Sequence, residues 1–413
     1  MTPESQPNVL RLVREGHEER VLAALRSHGA LSRSELGRRT NLSRATLSSI
    51  VRHLLSQGAI VEMAADPGPD RGRGRPVTLL TLNPAGGLVV GMDLGHRRIQ
   101  VAVANVAHEI VASGSKDCAE RTPWTRRVEI ALELVDSVTA QSSVSLTALK
   151  GVGVGIVGPV SETGSHRHPQ RASRIDLIRK RLVDRFGVPV HVDNNTRLAA
   201  LAEAIWGAGA GVPNVLYLHL SYGVGGGLVV NGHLFSGADG GAGELGHVSV
   251  DPEGPRCHCG GRGCLERYVS IATLLERCHT RQFDQVLAQL AAGDRQVGEF
   301  FDEAGWRIGR VLAAACNVVN PEAIVVGGEL AAAGDQLLRP VRAAIKEFAH
   351  RQVRRRLLIH TATLGQEAAP RGGIALVLRR SALLAGYPPT ADADDETSQP
   401  TETDRAIHGR RLR

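Results

Sequence analysis

The sequence predicts an α/β protein of two parts, a small helical module closed by a β-hairpin and a larger domain made of two similar halves. Three observations carry this. Between Gly29 and Gly58 the chain reads as two short capped helices joined by a tight turn. From Leu88, LVVGMDLGHRRIQVAVANVAHEIVASGSKD reads as three strands with tight turns. From Asn214, NVLYLHLSYGVGGGLVVNGHLF repeats that layout, and a helix-rich stretch follows each copy. A length of 413 residues suffices for two or three domains.

The first helical segment, NVLRLVREGHEERVLAALRSHG, ends at Gly29. In LSRSELGRRT, Ser32 and Glu35 form a capping box, with Leu31 and Leu36 placed as the hydrophobic staple. After the turn Thr40–Leu42, Ser43 caps the next helix, SRATLSSIVRHLLSQ. Leu47, Ile50, Val51, Leu54 and Leu55 recur on one face of it. The opposite face carries Arg44, Thr46, Ser48 and Arg52. Next, AIVEM and VTLLTL flank a Gly-, Pro- and Arg-rich turn. A hairpin behind a helix-turn-helix is a wing, and this one carries Arg71, Arg73 and Arg75 at its tip.

Charge points the same way. The chain carries a net charge of +7, almost wholly as arginine. Residues 1–82 hold 12 Arg against 8 acidic residues, a net of +4. Between Arg26 and Arg52 there are six Arg and one acid, Glu35. Capping, periodicity, turn length, charge and wing agree on double-stranded DNA as the partner. Arg44, Thr46, Ser48 and Arg52 then face the major groove. Arg73 and Arg75 reach a narrow minor groove. No run approaches the ~20 apolar residues of a membrane span. MTPESQPNVLRLVREGHEER has no apolar leader core, so a cytoplasmic protein with reduced thiols is expected.

The stretch HVSVDPEGPRCHCGGRGCLE, His247 to Glu266, packs three of the six cysteines and two histidines into one glycine-rich loop. A disulfide and inert small apolar side chains are the competing readings. Reduced thiols argue against the first, and the polar surroundings against the second. The best ligand set is His247, Cys257, Cys259 and Cys264, a closed four-ligand structural zinc site. His258, between two ligating cysteines, would be strained to join them.

Glu244-Leu245-Gly246-His247, followed by Cys257-His-Cys259-Gly-Gly-Arg-Gly263-Cys264-Leu-Glu266, resembles the signature of the ROK family (repressors, uncharacterised reading frames and sugar kinases). GVGVGIVGPV, DNNTRLAALAEAIWGAG, YGVGGGLVVNGHLFSGADGGAGELGH and NPEAIVVGGEL are also family-like, so the resemblance covers roughly residues 83–386. It implies an actin-like, ROK-type two-lobe fold with a zinc loop forming one wall of a sugar pocket. Carried over by motif, Glu244, His247 and Glu266 would bind sugar hydroxyls, with Asn194 a further contact and Asn195 beside it.

Two departures weigh against sugar phosphorylation. Family kinases carry Asn-Asp where this chain has Asn194-Asn195, and the Asp is the base. A neutral amide takes up no proton, and losing a positioned base costs about 10²–10⁴ in rate. Family kinases read Asp-x-Gly-Gly-Thr after the first strand, where this chain has Asp93-Leu94-Gly95-His96-Arg97. His96 puts a side chain where backbone approaches phosphate. Arg97 is read as a solvated strand-end residue or a phosphate ligand.

The reading is a winged helix-turn-helix domain over 1–82, a ROK-type sensor and oligomerisation domain over 83–386, hinged at Asn83–Gly87, and a disordered tail over 387–413. It is expected to be a transcriptional repressor of carbohydrate-related genes. A homodimer or homotetramer would bind an operator and respond to a sugar or sugar phosphate, without enzyme activity. The alternative is a sugar kinase with a fused regulatory module, and Asn195 discriminates between the two.

Overall fold

The computed structural model describes residues 17–18, 20–22, 24–25, 28–56, 58–64, 78–106, 108–160 and 169–380. The residues described before Gly29 are helical and bury Val21, Leu22 and Leu25. A two-residue strand, β1 (Leu31–Ser32), leads into α1 (Arg33–Thr40). Ser32 caps α1 by accepting the Glu35 amide at 3.2 Å. The Glu35 carboxylate turns outward to Arg38 and Arg39, so the cap is one-sided rather than a reciprocal box. Asn41, left-handed at φ 51°, ends α1.

Ser43 then accepts the Thr46 amide at 3.1 Å and starts α2 (Arg44–Ser56). Leu47, Ile50, Val51 and Leu54 are buried, while Arg44, Ser48 and Arg52 are exposed. The hairpin is β2 (Ile60–Ala64) with β3 (Thr78–Leu82), and β3 also pairs with β1. The arginine tip of the wing, with Arg71, Arg73 and Arg75, lies outside the described residues, as do residues 381–413.

The expected hinge is an ordered junction. Asn83 caps a 3-10 turn (Pro84–Gly86), and its amide nitrogen donates to the Gly58 carbonyl at 2.7 Å. The wing and the large domain therefore meet through a pinned turn.

Two five-stranded sheets follow with matching topology. In the first lobe, β4 (Leu88–Leu94), β5 (Arg98–Asn105), β6 (Ile110–Asp117), β7 (Leu149–Ile156) and β8 (Val190–Asn194) run in the order β6-β5-β4-β7-β8. In the second, β9 (Val215–Leu220), β10 (Val224–Val230), β11 (His233–Phe235), β12 (Ala323–Gly327) and β13 (Leu358–Thr361) run β11-β10-β9-β12-β13. In each, the first three strands are antiparallel and the last two join in parallel. This is the duplication expected from the repeated sequence layout.

Each sheet has an outer and an inner helical layer. Outside the first lobe lie α3 (Trp124–Gln141) and α4 (Pro169–Phe186). Between the lobes runs α5 (Asn195–Trp206), which lies on the second sheet. Outside that sheet are the short α6 (Glu266–Val269), α7 (Ile271–Arg277), α8 (Phe283–Ala291), the 25-residue α9 (Arg295–Val319) and α10 (Asp335–Phe348). A single turn, α11 (Arg351–Arg354), precedes β13.

The last described helix, α12 (Ala368–Arg380), returns to the first sheet and packs on α5. That return needs bare backbone. A Cβ on Gly153 of β7 would overlap the Gly373 carbonyl, and one on Gly372 would overlap the Leu198 carbonyl of α5.

Gly153→Ala is expected to lower the thermal unfolding midpoint, because overpacking of a rigid contact costs roughly 1–3 kcal/mol or more. Differential scanning calorimetry against a Gly241→Ala control, which meets open space, reads it.

Candidate functional site: a cleft with a cysteine-histidine centre

The cleft is organised around the start of β10. Glu266, at the head of α6, accepts the Val224 amide at 2.9 Å. A Cβ on Gly246 would overlap the Val224 carbonyl, so the Glu244–His247 turn lies against the same residue. The hydroxyl of Thr196, second residue of α5, lies 3.3 Å from the Gly226 carbonyl. One strand thus gathers the two glutamates, the histidine and the head of α5. The glycines of β10 permit it: a Cβ on Gly225 would crowd Thr196 at 2.8 Å.

The cysteine cluster stands beside the glutamates. The ligand atoms of His247, Cys257, Cys259 and Cys264 all lie within 4.8 Å of one another, and none of the three thiols is in a disulfide. Cys259 and Cys264 Sγ are 3.6 Å apart, and Cys257 Sγ is 3.7 Å from His247 Nδ1. Thiolates bound at about 2.3 Å to a tetrahedral metal stand about 3.8 Å from one another. The four side chains fit such a centre.

A small hairpin holds them, closed by antiparallel bridges between Ser249 and Cys264 and between Arg256 and Arg262. Gly263 takes φ +62° and lies so close to the Asp251 carbonyl that no side chain fits. His247 reaches the cysteines with Nδ1, and its Nε2 lies 3.8 Å from Glu244. His258 Nδ1 lies 3.3 Å from Glu266 Oε1 and 3.8 Å from Cys257 Sγ, and its ring meets the His247 ring edge-on.

Across the cleft, Asn195 donates to Asp93 Oδ1 at 3.1 Å. Burial pushes the Asp93 carboxyl up to about 7, against the opposing effects of the Asn195 bond and the Arg127 charge. Asn194 is the N-cap of α5. Its Oδ1 accepts from the Thr196 and Arg197 amides and the Thr196 hydroxyl, and its Nδ2 donates to the Gly158 carbonyl at 3.0 Å. Its oxygen is committed to the fold, so what it offers a ligand is at most one amide proton.

The Gly95-His96-Arg97 loop is held by a side chain that the sequence pattern did not single out. Arg127 of α3, 2% exposed, donates to the carbonyls of Gly95, His96, Ala119, Glu120 and Thr122. Arg97 is solvent-exposed, and it also has two partners. Its guanidinium lies 3.9 Å from the centroid of the Tyr222 ring on the opposite lobe, and it pairs with Glu120 at 3.2 Å. It bridges the cleft where the two glycine loops face each other.

Two more charged residues escaped the sequence reading, Arg197 and Glu203. Arg197 Nε bonds Asp193 at 2.8 Å, and its Nη1 donates to the Gly240 carbonyl at 2.7 Å. Glu203, fully buried, accepts the Ala208, Thr363 and Leu364 amides at 2.8–3.0 Å. Both interrupt an otherwise apolar helix, and that interruption was the available signal.

Residues 89–380 match the profile of the ROK family, which is more than half of the chain. The chain belongs to the ROK family. In front, residues 16–72 match the MarR family, so this ROK protein carries an N-terminal winged helix of that type. It is 25% identical over 371 residues to the xylose repressor of Bacillus subtilis, covering 89% of this chain and 96% of the repressor. It is 32% identical over 307 residues to a glucokinase of Halalkalibacterium halodurans, covering 69% and 93%. Among solved structures, a ROK family transcriptional regulator described as a homolog of the E. coli MLC protein superposes with a TM-score of 0.73. It is 24% identical and covers 90% of this ROK chain and 97% of its own. Its likeness extends over both parts of the fold.

The Asp93 carboxyl gives the ROK domain a pH signature. Its pKa is raised in the folded state, so its contribution to stability is present below about pH 4 and is lost as pH rises through about 7. Asp93→Asn is expected to flatten this part of the stability profile. Urea midpoints at pH 5 and pH 8 check it, and equal slopes in both proteins would refute the assignment.

Proposed function

We propose that this ROK protein is a sequence-specific transcriptional regulator, acting as a repressor of carbohydrate-related genes. Its winged helix binds an operator, and its cleft binds a sugar or sugar phosphate. The observation that carries this is the joining of a capped, arginine-faced recognition helix to a kinase-like cleft without a kinase's base. Arg44, Thr46, Ser48 and Arg52 on α2 are the groove-facing residues, supported by the exposure of Arg44, Ser48 and Arg52. Arg73 and Arg75 act from the wing. The working compartment is the one that holds the DNA, the cytoplasm. One winged helix reads a short half-site, so the working unit is a homodimer or homotetramer.

Asn195, Glu244, His247 and Glu266 form the effector set, with Asn194 shaping it from the helix cap. Glu244 and Glu266 offer acceptors to hydroxyls, and the Asn195 amide offers both signs. Zinc is the metal that suits three cysteines and one histidine. Held by His247, Cys257, Cys259 and Cys264, it would leave no open position for water, and its work is to brace the wall that carries Glu244 and Glu266.

Kinase activity is absent on this reading. Asn195 accepts no proton, His96 crowds the first glycine loop, and the Arg97–Tyr222 contact spans the nucleotide half of the cleft. The glucokinase relative makes the enzyme the alternative.

Incubation with Mg-ATP and glucose, fructose, mannose, xylose or N-acetylated sugars is expected to yield no ADP above background. Turnover near the ordinary ~1–100 per second would establish the kinase reading instead. Arg44→Ala or Arg52→Ala is expected to weaken operator binding by roughly 1–3 kcal/mol where the residue meets a base. Elemental analysis is expected to find one zinc per chain, lost together with effector response in Cys257→Ser or Cys264→Ser. Zinc retained by a triple Cys257/Cys259/Cys264 variant would sink the metal assignment.

A further inference from the structure

Helix α5 begins in the effector cleft and ends at the base of the DNA-binding module. Its 12 residues span about 18 Å. Asn195 at one end bonds Asp93 in the cleft. Trp206 at the other packs against the cluster that joins Leu80 and Leu82 of the wing to Val106 of the first lobe and Val377 of α12. The Trp206 ring also meets the His108 ring edge-on, centroids 5.6 Å apart, in the turn between β5 and β6. Val106, two residues before His108, donates its amide to the Gly87 carbonyl of the junction at 3.2 Å.

Between its ends α5 has no slack. Every residue from Arg197 to Ala204 is buried. Gly372 of α12 touches the Leu198 carbonyl without room for a methyl group. Glu203 binds the Thr363 and Leu364 amides, so the segment leading into α12 is tied to α5. A displacement at Asn195 would find little room to be absorbed along the helix, because a close-packed interior passes strain on. Two contiguous sets of contacts lead from there to the base of the winged helix, through α12 and through the β5–β6 turn.

We propose that Trp206 couples the two sites, carrying effector occupancy at the head of α5 to the base of the winged helix. The inference rests on the effector reading of the cleft. Trp206 belongs to neither the DNA-facing set nor the effector set, so its removal cuts the link and leaves both ends.

Coupling between two sites is reciprocal, so operator DNA alone can probe it. The experiment uses the full chain and an operator duplex selected from a random pool. Amide hydrogen exchange is read with and without the duplex in wild type, Trp206→Ala, Trp206→Phe and Val377→Ala. In wild type the duplex is expected to change exchange over 195–206 and 368–380 by at least about twofold. Trp206→Ala is expected to bind the duplex within about threefold of wild type, as distant sites do, while 195–206 no longer responds. Trp206→Phe restores the response, and Val377→Ala, which thins the base from the α12 side, weakens it. The last two variants decide the matter should Trp206→Ala unfold. A wild-type α5 that ignores the operator, or a folded Trp206→Ala that responds as wild type does, overturns the inference.

A second arm competes glucose, xylose, N-acetylglucosamine and hexose 6-phosphates against the operator. Where one of them releases wild type, Trp206→Ala is expected to lose most of a coupling that ordinarily amounts to about 5–150-fold. If none of them does, the effector reading fails, and the exchange arm still decides the role of Trp206.

Discussion

Two helices meet almost backbone to backbone between the sheets of this ROK protein. Gly372 lies on the carbonyl of Leu198 where α12 crosses α5, and Gly153 lies on the carbonyl of Gly373 where α12 crosses the first sheet. This contact ties the helix that borders the second sheet to the one that lies on the first, at the floor of the cleft that carries Asn195, Glu244 and Glu266. Beside it Leu201 of α5 packs on Ala375 of α12, while Ala199, Ala200 and Ala204 seat α5 on the second sheet with Tyr217 and Val229. Glu203 then adds direction by binding the segment that leads into α12. An apolar contact alone could slide, whereas a buried carboxylate accepting several amides has one favourable position.

The parts of the fold that were legible in the sequence are those governed by local rules. Ser32 and Ser43 announce their helices because an N-cap is decided within four residues. The spacing of Leu47, Ile50, Val51 and Leu54 announces a buried face in the same way. The two sheets were legible because the strand and glycine pattern occurs twice. The cysteine cluster was legible because its ligands are close in sequence.

What escaped depends on contacts between distant segments. β1 is two residues long, and nothing in Leu31–Ser32 signals pairing with Leu79 and Leu80. Asn83–Gly87 looked like a hinge because its composition is that of a loop, yet the Gly58 carbonyl that pins it lies 25 residues away. Arg97 is exposed, as its position suggests, but its contact with Tyr222 was hidden because that ring is on the other lobe. Arg127 gathers five carbonyls and no carboxylate, and no pattern search pairs an arginine with backbone.

The pinned junction has a consequence for the grammar of the DNA this protein can read. A head on a loose tether adapts to targets at several separations, at an entropic penalty that grows slowly with reach. The Asn83 turn narrows that latitude, since it is tied to the Gly58 carbonyl and backed by the core that Leu80 and Leu82 share with Val106 and Val377. Were two copies to pair through their large domains, that association would set the angle and spacing of the two reading heads. Each base pair inserted between half-sites turns one of them by about 34° around the duplex axis, as about 10.5 base pairs make a turn. A rigidly mounted pair tracks that rotation poorly. In such a pair recognition would depend on helical phase as well as on the letters of each half-site, and a shift of the large domains would retune the phase that is accepted.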